Sequence, residues 1–227
     1  MRKPGVLLIG NYPPPFGGVP KHIEDLVPGL VRRGWRVHVL SSGTSGTEQR
    51  EGFTVHKDAR SLPRRRFDTV SFLWRVSREH QAGRLREYAG LMPLRSWASY
   101  MGRVALGAQI LDGNSIDVIA GYNLLAGAPV ASILGEIYAL PVVISNFGEL
   151  YSHRSLAERE RGMIRRMTER SAQLLCMTRH CAESYELLGL NPPVRILPYG
   201  LDLDRFSPGD GSDAREALGL RAGDRVV

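Results

Sequence analysis

Short apolar runs alternate along the chain with longer segments in which apolar residues recur every three or four positions. The runs at residues 6–9, 36–40, 116–120, 141–145 and 172–177 have the length and composition of buried strands. The segments between them have the periodicity of amphipathic helices. Strands that alternate with helices are typical of a parallel sheet covered on both faces. The pattern therefore predicts an α/β, Rossmann-like parallel sheet with helices on both faces.

Helices are predicted at residues 19–33, 93–113, 124–139, 155–170 and 178–188, with Thr178 as an N-cap. Weaker strand signals occur at residues 53–56 and 194–198. Residues 41–52 are rich in Gly, Ser and Thr, which predicts a loop. Residues 60–92 have the least regular pattern of the chain, so no element is assigned there.

The segment that joins the first strand to the first helix contains three prolines and two glycines. Pro13, Pro14 and Pro15 restrict the backbone, whereas Gly17 and Gly18 let another molecule approach it closely. The next helix directs its unpaired N–H groups and positive dipole end to the same place, which favours a phosphate or another anion. On spacing alone, a plain strand-to-helix turn explains the glycines equally well. The Walker A and dinucleotide-binding patterns are both absent from this segment.

Polar residues follow two of the predicted buried strands. Ligands of open parallel sheets bind beyond the carboxyl ends of the strands, so Tyr122 and Asn123 are candidate ligand contacts. Asn146, Gly148 and Glu149 form a second cluster of the same kind. The carboxylate of Glu149 has two interpretations, because it can orient a sugar hydroxyl or cap the helix that is predicted to begin near residue 155.

Composition and charge narrow the class of protein. The 227 residues, 43% of them apolar, suffice for one globular domain with a proper core. No apolar run approaches the ~20 residues of a membrane span, and no signal peptide is apparent, so we expect a cytoplasmic protein. Cys176 and Cys181 are too few for a disulfide framework or a metal cluster, and we expect both to be inert. The net charge of +7 indicates anionic partners, such as nucleotide phosphates, an anionic membrane surface or nucleic acid.

One stretch interleaves basic and large apolar residues. Arg64, Arg65 and Arg66 precede Phe67 and Trp74, and further arginines follow. This pattern suits a surface that contacts anionic lipid at the inner face of a membrane or an anionic acceptor. The alternative is that the aromatic side chains face the core and the arginines are simply solvated. The mixed-charge helix predicted at residues 155–170 favours a solvated face, so we expect no nucleic-acid partner.

Three stretches of the chain carry motifs that belong together. They are Pro14-Pro15-Phe16-Gly17-Gly18-Val19 with His22 and the turn at residues 33–37, residues 171–178, and Ile196-Leu197-Pro198-Tyr199-Gly200-Leu201-Asp202 with Phe206 and Pro208. Together they resemble the amino-terminal half of a retaining GT-B glycosyltransferase of the family-four type, and the resemblance covers nearly the whole chain. The third stretch resembles that family's Pro-Asn-Gly-Val-Asp hinge, which leads into a second domain.

The resemblance implies a separate role for each of two domains. Residues 1–200 would form an acceptor-side domain, and residues 201–227 the hinge and the start of a second domain that binds the nucleotide sugar. Gly17 and Gly18 would meet the donor diphosphate. No metal or other cofactor is implied, and the acceptor can be a glycan, a lipid-linked saccharide or a small molecule. Because the second domain stabilises the leaving group, we expect this chain alone to be nearly inactive.

The chain departs from the family pattern at two positions. Many relatives have a histidine before the glycine that corresponds to Gly148, whereas this chain has Phe147, and Tyr199 replaces the usual asparagine of the hinge. We therefore assign no catalytic residue and retain Asn146 and Glu149 as the predicted contacts with sugar hydroxyls.

Two other classes of protein remain open. A dinucleotide-dependent oxidoreductase would carry an acidic residue at the end of the second strand, where this chain has Ser41 and Ser42. A non-catalytic module that binds a sugar or an anion, or that serves as a scaffold, is the stronger rival.

Overall fold

The computed structural model describes residues 2–43, 46–57, 62–78, 82–200, 203, 209, 211–221 and 223–225. Its strands form one eight-stranded sheet in the order β3-β4-β2-β1-β5-β6-β7-β8, in which every pairing is parallel except that of β3 with β4. The predicted α/β architecture is confirmed. The strands are Gly5–Ile9 (β1), Arg36–Ser41 (β2), Thr47–Arg50 (β3), Phe53–Lys57 (β4), Val118–Tyr122 (β5), Val142–Asn146 (β6), Gln173–Cys176 (β7) and Arg195–Ile196 (β8).

Ten α-helices lie in the described part of the chain. They are Gly18–Arg32 (α1), Leu62–Arg78 (α2), Ala82–Gly90 (α3), Leu94–Gly113 (α4), Ala128–Tyr138 (α5), Glu149–Ser152 (α6), Arg154–Arg159 (α7), Arg161–Arg170 (α8), Arg179–Glu183 (α9) and Ser212–Ala217 (α10). A π-helical turn, Asn123–Gly127, precedes α5, and a 3₁₀ helix, Ser184–Leu188, follows α9.

The sheet separates two hydrophobic cores. Because successive side chains of a strand point to opposite faces, β1 contributes Leu7 and Ile9 to one core and Val6 and Leu8 to the other. The larger core is closed by α2, α4, α5 and α8. The smaller core is closed by α1 through Ile23 and other residues. Helices therefore lie on both faces of the sheet, as predicted.

The strand order creates a topological switch point between β1 and β5. The chain leaves β1 through α1 to reach β2 on one side, and it leaves β5 through α5 to reach β6 on the other. The two loops diverge at the carboxyl ends of these paired strands, which leaves a crevice between them. The glycine loop, residues 10–18, and the π-helical turn flank this crevice.

One prediction about an irregular region was wrong, and a second region to which no element was assigned contains two helices. The predicted loop at residues 41–52 contains β3, whose four residues are polar and mostly exposed, so no apolar alternation marks it. The stretch at residues 60–92 contains α2 and α3. Helix α2 is apolar on two opposite faces, one buried and one exposed, which removes the single-face period that identifies an amphipathic helix.

The predicted helix at residues 155–170 is divided into α7 and α8, and α6 begins at Glu149. Glu149 therefore does not cap a helix near residue 155. Leu201, Asp202, Phe206 and Pro208 of the hinge segment lie outside the described residues. The residues Arg225, Val226 and Val227 predict the start of a strand, but Val226 and Val227 also lie outside the described residues. The described Arg225 belongs to no strand.

Candidate functional site

The glycine loop is held at its start by the neighbouring strand and is open at its end. The N–H of Gly10 donates to the carbonyl of Leu40 at 3.1 Å, and the N–H of Tyr12 donates to Ser41 Oγ at 2.8 Å. Tyr12 is buried, whereas Gly17 and Gly18 are exposed. The loop is therefore anchored through Tyr12 and presents its glycines to the surface.

Helix α1 begins at Gly18, directly after Gly17. The N–H of Lys21 bonds to the carbonyl of Gly17 at 2.9 Å, which makes this the first helical bond. The N–H groups of Gly18 and Val19 precede that bond and have no intrahelical acceptor. A Cβ added at Gly18 would meet no atom of the described residues within 4 Å. The start of α1 thus combines free backbone donors, a positive dipole end and open space.

Glu149 joins the turns that follow β5 and β6. One carboxylate oxygen accepts the N–H of Leu124 in the π-helical turn, and the other accepts the N–H of Phe147 at 2.8 Å. The side chain is only 4% exposed. Burial raises the pKa of the Glu149 carboxyl, and the two N–H donors oppose that shift because they favour the ionised form.

Asn146 braces the same turn against α9. Its amide nitrogen donates to the carbonyl of Cys181 at 3.2 Å, and its Oδ1 accepts the N–H of Gly148 at 2.8 Å. The side chain is fully buried. Gly148 adopts a φ of 97°, a conformation that favours glycine. Asn146 and Glu149 therefore shape the turn from beneath its surface, and their predicted contact with sugar hydroxyls stays a prediction.

Asn123 starts the π-helical turn. It has a φ of 71°, and its Oδ1 accepts the N–H of Leu125 at 2.9 Å. Asparagine tolerates the left-handed region because its short polar side chain bonds locally. The residue lies one position after Tyr122, whose ring is 5% exposed. Both predicted contacts are thus at the switch point, with Asn123 at its rim and Tyr122 inside it.

Four aromatic rings from four separate segments meet beside the glycine loop. The ring of His22 on α1 lies 5.6 Å from Tyr122, 5.7 Å from Phe147 and 4.4 Å from Tyr199, measured between centroids. Phe147 is also 5.7 Å from Tyr199. Burial lowers the pKa of the His22 imidazole, which favours its neutral form. We call His22, Tyr122, Phe147 and Tyr199 the aromatic cluster.

The sequence did not predict that these four rings form one site. His22, Phe147 and Tyr199 were named in the family resemblance or in the departures from it, and Tyr122 follows a predicted strand. Phe147 replaces the histidine of many relatives, and the structure places another imidazole, that of His22, against it. Tyr199 replaces the asparagine of the hinge and contacts both rings. The two departures from the family pattern are therefore neighbours in space.

A cavity of about 490 Å³ opens next to the π-helical turn. Its polar centre is Glu160, which is buried and accepts hydrogen bonds from Ser96 Oγ at 2.6 Å and Tyr100 Oη at 3.0 Å. Tyr100 Oη also lies 3.0 Å from the carbonyl oxygen of Leu125, which ties the cavity to the turn. The cavity is lined by Pro93, Arg95, Ser96, Ser99, Tyr100, Leu125, Leu156, Arg159 and Glu160.

The arginine-rich stretch lies apart from these groups in the chain, on α2. The side chains of Arg64 and Arg65 are outside the described residues, Arg66 is exposed, and Trp74 is 62% exposed. The alternative in which the aromatic residues face the core holds for Phe72, which is 5% exposed, and not for Trp74.

The described residues contain neither a candidate metal site nor a candidate membrane span. Within them, no three His, Cys, Asp or Glu side chains are grouped so that they could hold a metal ion. None of the helices in that part of the chain has both the length and the apolar character needed to cross a bilayer. Cys176 and Cys181 are buried free thiols, and burial raises the pKa of Cys176 to about 12.

The fold and the switch-point site define the class of this protein: it is a Rossmann-like domain of the kind found in GT-B glycosyltransferases. The chain matches the profile of Glycosyltransferase Family 4 over residues 16–205. It belongs to this family. No curated protein matches it. The family assignment removes the oxidoreductase alternative.

Solved structures share the fold at low sequence identity. A trehalose 6-phosphate synthase from Burkholderia multivorans is 15% identical, with a TM-score of 0.52, over 98% of this chain and 53% of that one. Arabidopsis thaliana UGT89C1, complexed with UDP, is 14% identical, with a TM-score of 0.47, over 98% of this chain and 56% of that one. An E. coli trehalose-6-phosphate protein bound with UDP-2-fluoro glucose is 12% identical, with a TM-score of 0.47, over 95% and 54%. This chain thus spans about half the length of the structures that it matches.

Proposed function

We propose that the full-length protein is a cytoplasmic glycosyltransferase that transfers a sugar from a nucleotide-sugar donor to an acceptor with retention of configuration. In this proposal residues 1–200 are the acceptor-side domain, and residues 201–227 lead into a second domain that holds the nucleotide. Membership of Glycosyltransferase Family 4 supports the reaction class. The location of the glycine loop at the switch point supports the division between the two domains.

The observation that carries the proposal is the environment of Gly18. Within the described part of the chain no atom lies within 4 Å of a Cβ placed at Gly18, and Gly18 is not held at a positive φ. Neither internal packing nor backbone conformation therefore requires glycine at this position. A ligand that approaches the N–H groups of Gly18 and Val19 would require it. We assign that ligand as the donor diphosphate, because the start of α1 favours negative charge.

The diphosphate is the leaving group of the proposed reaction. Negative charge develops on it as the bond to the sugar breaks, so preorganised donors at the start of α1 would stabilise the transition state more than the ground state. The remaining donors would come from the second domain. We expect transfer to need no metal ion, and this stays a prediction.

We infer that the acceptor binds between the aromatic cluster and the cavity around Glu160. Both regions adjoin the π-helical turn, and the cavity offers carboxylate, hydroxyl and guanidinium groups of the kind that bond to hydroxyls. Aromatic faces beside them suit the apolar face of a sugar ring. Tyr122, Asn123 and Gly148 are the predicted contacts from the turns. A glycan, a lipid-linked saccharide and a small molecule all fit this description.

The proposal is tested with the full-length protein and a panel of nucleotide sugars. We expect calorimetry to show binding of one donor, transfer to persist in excess EDTA, and NMR to show that the product has the anomeric configuration of the donor. Donor binding without any turnover would favour the scaffolding module instead. Residues 1–227 alone should turn over little or nothing, and transfer by this chain at the full-length rate would refute the two-domain proposal.

A further inference from the structure

Helix α2 exposes a row of large apolar side chains. Phe67, Val70 and Trp74 are 64%, 64% and 62% exposed, and their spacing of three and four residues places them on one helical face. We call these three residues the α2 stripe. On the opposite face Phe72 and Val76 are buried in the larger core. Folding therefore buries one apolar face of α2 and leaves the other at the surface.

Helix α2 also carries much of the positive charge of the chain. Its sequence contains five arginines and one aspartate, a net charge of +4 out of the +7 of the whole chain. The aspartate, Asp68, is 6% exposed and lies toward the buried face. Arg66 lies about 70° to one side of the centre of the stripe, and Arg75, which is paired with Asp112, lies about 110° to the other side. The exposed side of α2 thus combines an apolar row with flanking positive charge.

Contacts of Arg75 hold α2 against the rest of the fold. Arg75 forms an ion pair with Asp112 at the end of α4 and donates to Tyr138 Oη of α5 at 2.9 Å. Its guanidinium also lies 5.7 Å from the ring centroid of Phe72. These contacts attach the carboxyl-terminal half of α2 to two core helices. The orientation of the stripe is therefore set by the fold.

We propose that the α2 stripe is a peripheral docking site for a bilayer that contains anionic phospholipids. A basic helix with aromatic residues on one face lies in the plane of the interface, with its apolar side chains at the boundary between headgroups and acyl chains. The arginines of α2 contact the lipid phosphates. The inference goes beyond sugar transfer, because it holds whatever donor and acceptor the protein uses. A lipid surface fits the stripe because the apolar row matches the acyl chains and the flanking positive charge matches the headgroup phosphates.

The test is sedimentation of the full-length protein with vesicles of phosphatidylcholine alone or with 30% phosphatidylglycerol. We expect binding to the anionic vesicles, weakened by added salt because of charge screening. The double variant Phe67→Ser/Trp74→Ser should bind at least ten-fold more weakly. A triple variant, with Arg64, Arg65 and Arg66 replaced by serine, should bind about a hundred-fold more weakly, at about five-fold per arginine.

Matched controls separate docking through α2 from general attraction. Leu94 is 80% exposed but belongs to α4, so Leu94→Ser should bind like the wild type. Lys3 lies before β1, and Arg32 and Arg33 lie at the end of α1; all three are exposed. Helix α1 covers the face of the sheet opposite to α2. Replacing these three residues by serine therefore removes the same positive charge at a distance from the stripe. Thermal unfolding of each variant checks that the fold is intact.

Three outcomes would overturn the proposal. Failure of the full-length protein to bind anionic vesicles would exclude lipid and leave a protein partner for the stripe. Equal weakening by the α2 arginine variant and the control arginine variant would show that net charge alone causes binding. Unchanged binding of Phe67→Ser/Trp74→Ser would show that the stripe does not enter the bilayer.

Discussion

Replacing Gly18 by valine tests the proposed diphosphate site most directly. Among the described residues no atom lies within 4 Å of a Cβ placed at Gly18, and Gly18 is not held at a positive φ. We therefore expect the free energy of unfolding to change by less than about 1 kcal/mol, the scale of helix propensity differences. The added methyl groups would instead occupy the space through which a diphosphate reaches the N–H groups of Gly18 and Val19. A displacement of about 1 Å costs about a hundred-fold in rate, or about 2.7 kcal/mol.

The assay is steady-state transfer by the full-length protein with the donor concentration varied. Gly18→Val should lower kcat/KM about a hundred-fold while urea unfolding stays near that of the wild type. Gly113→Val is the matched control, because Gly113 also faces open space but ends α4, before the start of β5. Wild-type kinetics in Gly18→Val would remove Gly18 from the site. An equal loss in Gly113→Val would show that the effect is not local.

Three further perturbations test other parts of the structure, each by urea unfolding. Glu149→Gln should lower the free energy of unfolding by about 1–3 kcal/mol, since a buried N–H loses its charged acceptor. An unchanged free energy of unfolding would show that the carboxylate does not stabilise the two turns. Burial and the adjacent His38 lower the pKa of His56 to about 4, so the unfolded state binds more protons below pH 6.5. Because the ring is only partly buried and solvent screens its charge, the free energy of unfolding should fall by about 1–2 kcal/mol between pH 6.5 and pH 4, and His56→Gln should reduce that loss. An identical pH slope in that variant would contradict this assignment. Glu136→Ala should cost about 1–2 kcal/mol, because it removes the carboxylate that Arg166 bonds at 2.9 Å and 3.0 Å but leaves Arg166 its second ion pair, with Glu87 at 2.7 Å. A cost near zero would place the pair of Arg166 and Glu136 among weak surface contacts.

The sequence was most informative where structure depends on local pattern. The strand and helix periods identify most of the elements, and Thr178 caps α9, with its Oγ1 accepting the N–H of Cys181 at 3.1 Å. The glycine loop was recognised as a candidate binding site because its prolines restrict the backbone and its glycines leave the backbone accessible. Strand β3 was missed since a short polar strand on an edge carries no hydrophobic alternation.

The candidate site was predicted only in part. The sequence indicated that polar residues follow β5 and β6, because the ends of parallel strands meet at one edge. It did not indicate that Glu149 would be buried with both oxygens on backbone N–H groups, or that Asn146 would bond to Cys181. Burial of a polar side chain depends on which elements pack over it, and that depends on the whole fold.

The amino-acid sequence by itself determined the alternation of elements, the family and the start of α1 at residues without side chains, since these follow from backbone preferences and from spacing along the chain. The tertiary structure alone decided which rings form the aromatic cluster, that the cavity adjoins the π-helical turn, and which face of α2 is exposed. His22 and Tyr199 are far apart in the chain, and no local preference encodes their contact. Only the packing of helices on the sheet brings such residues together or leaves them at the surface.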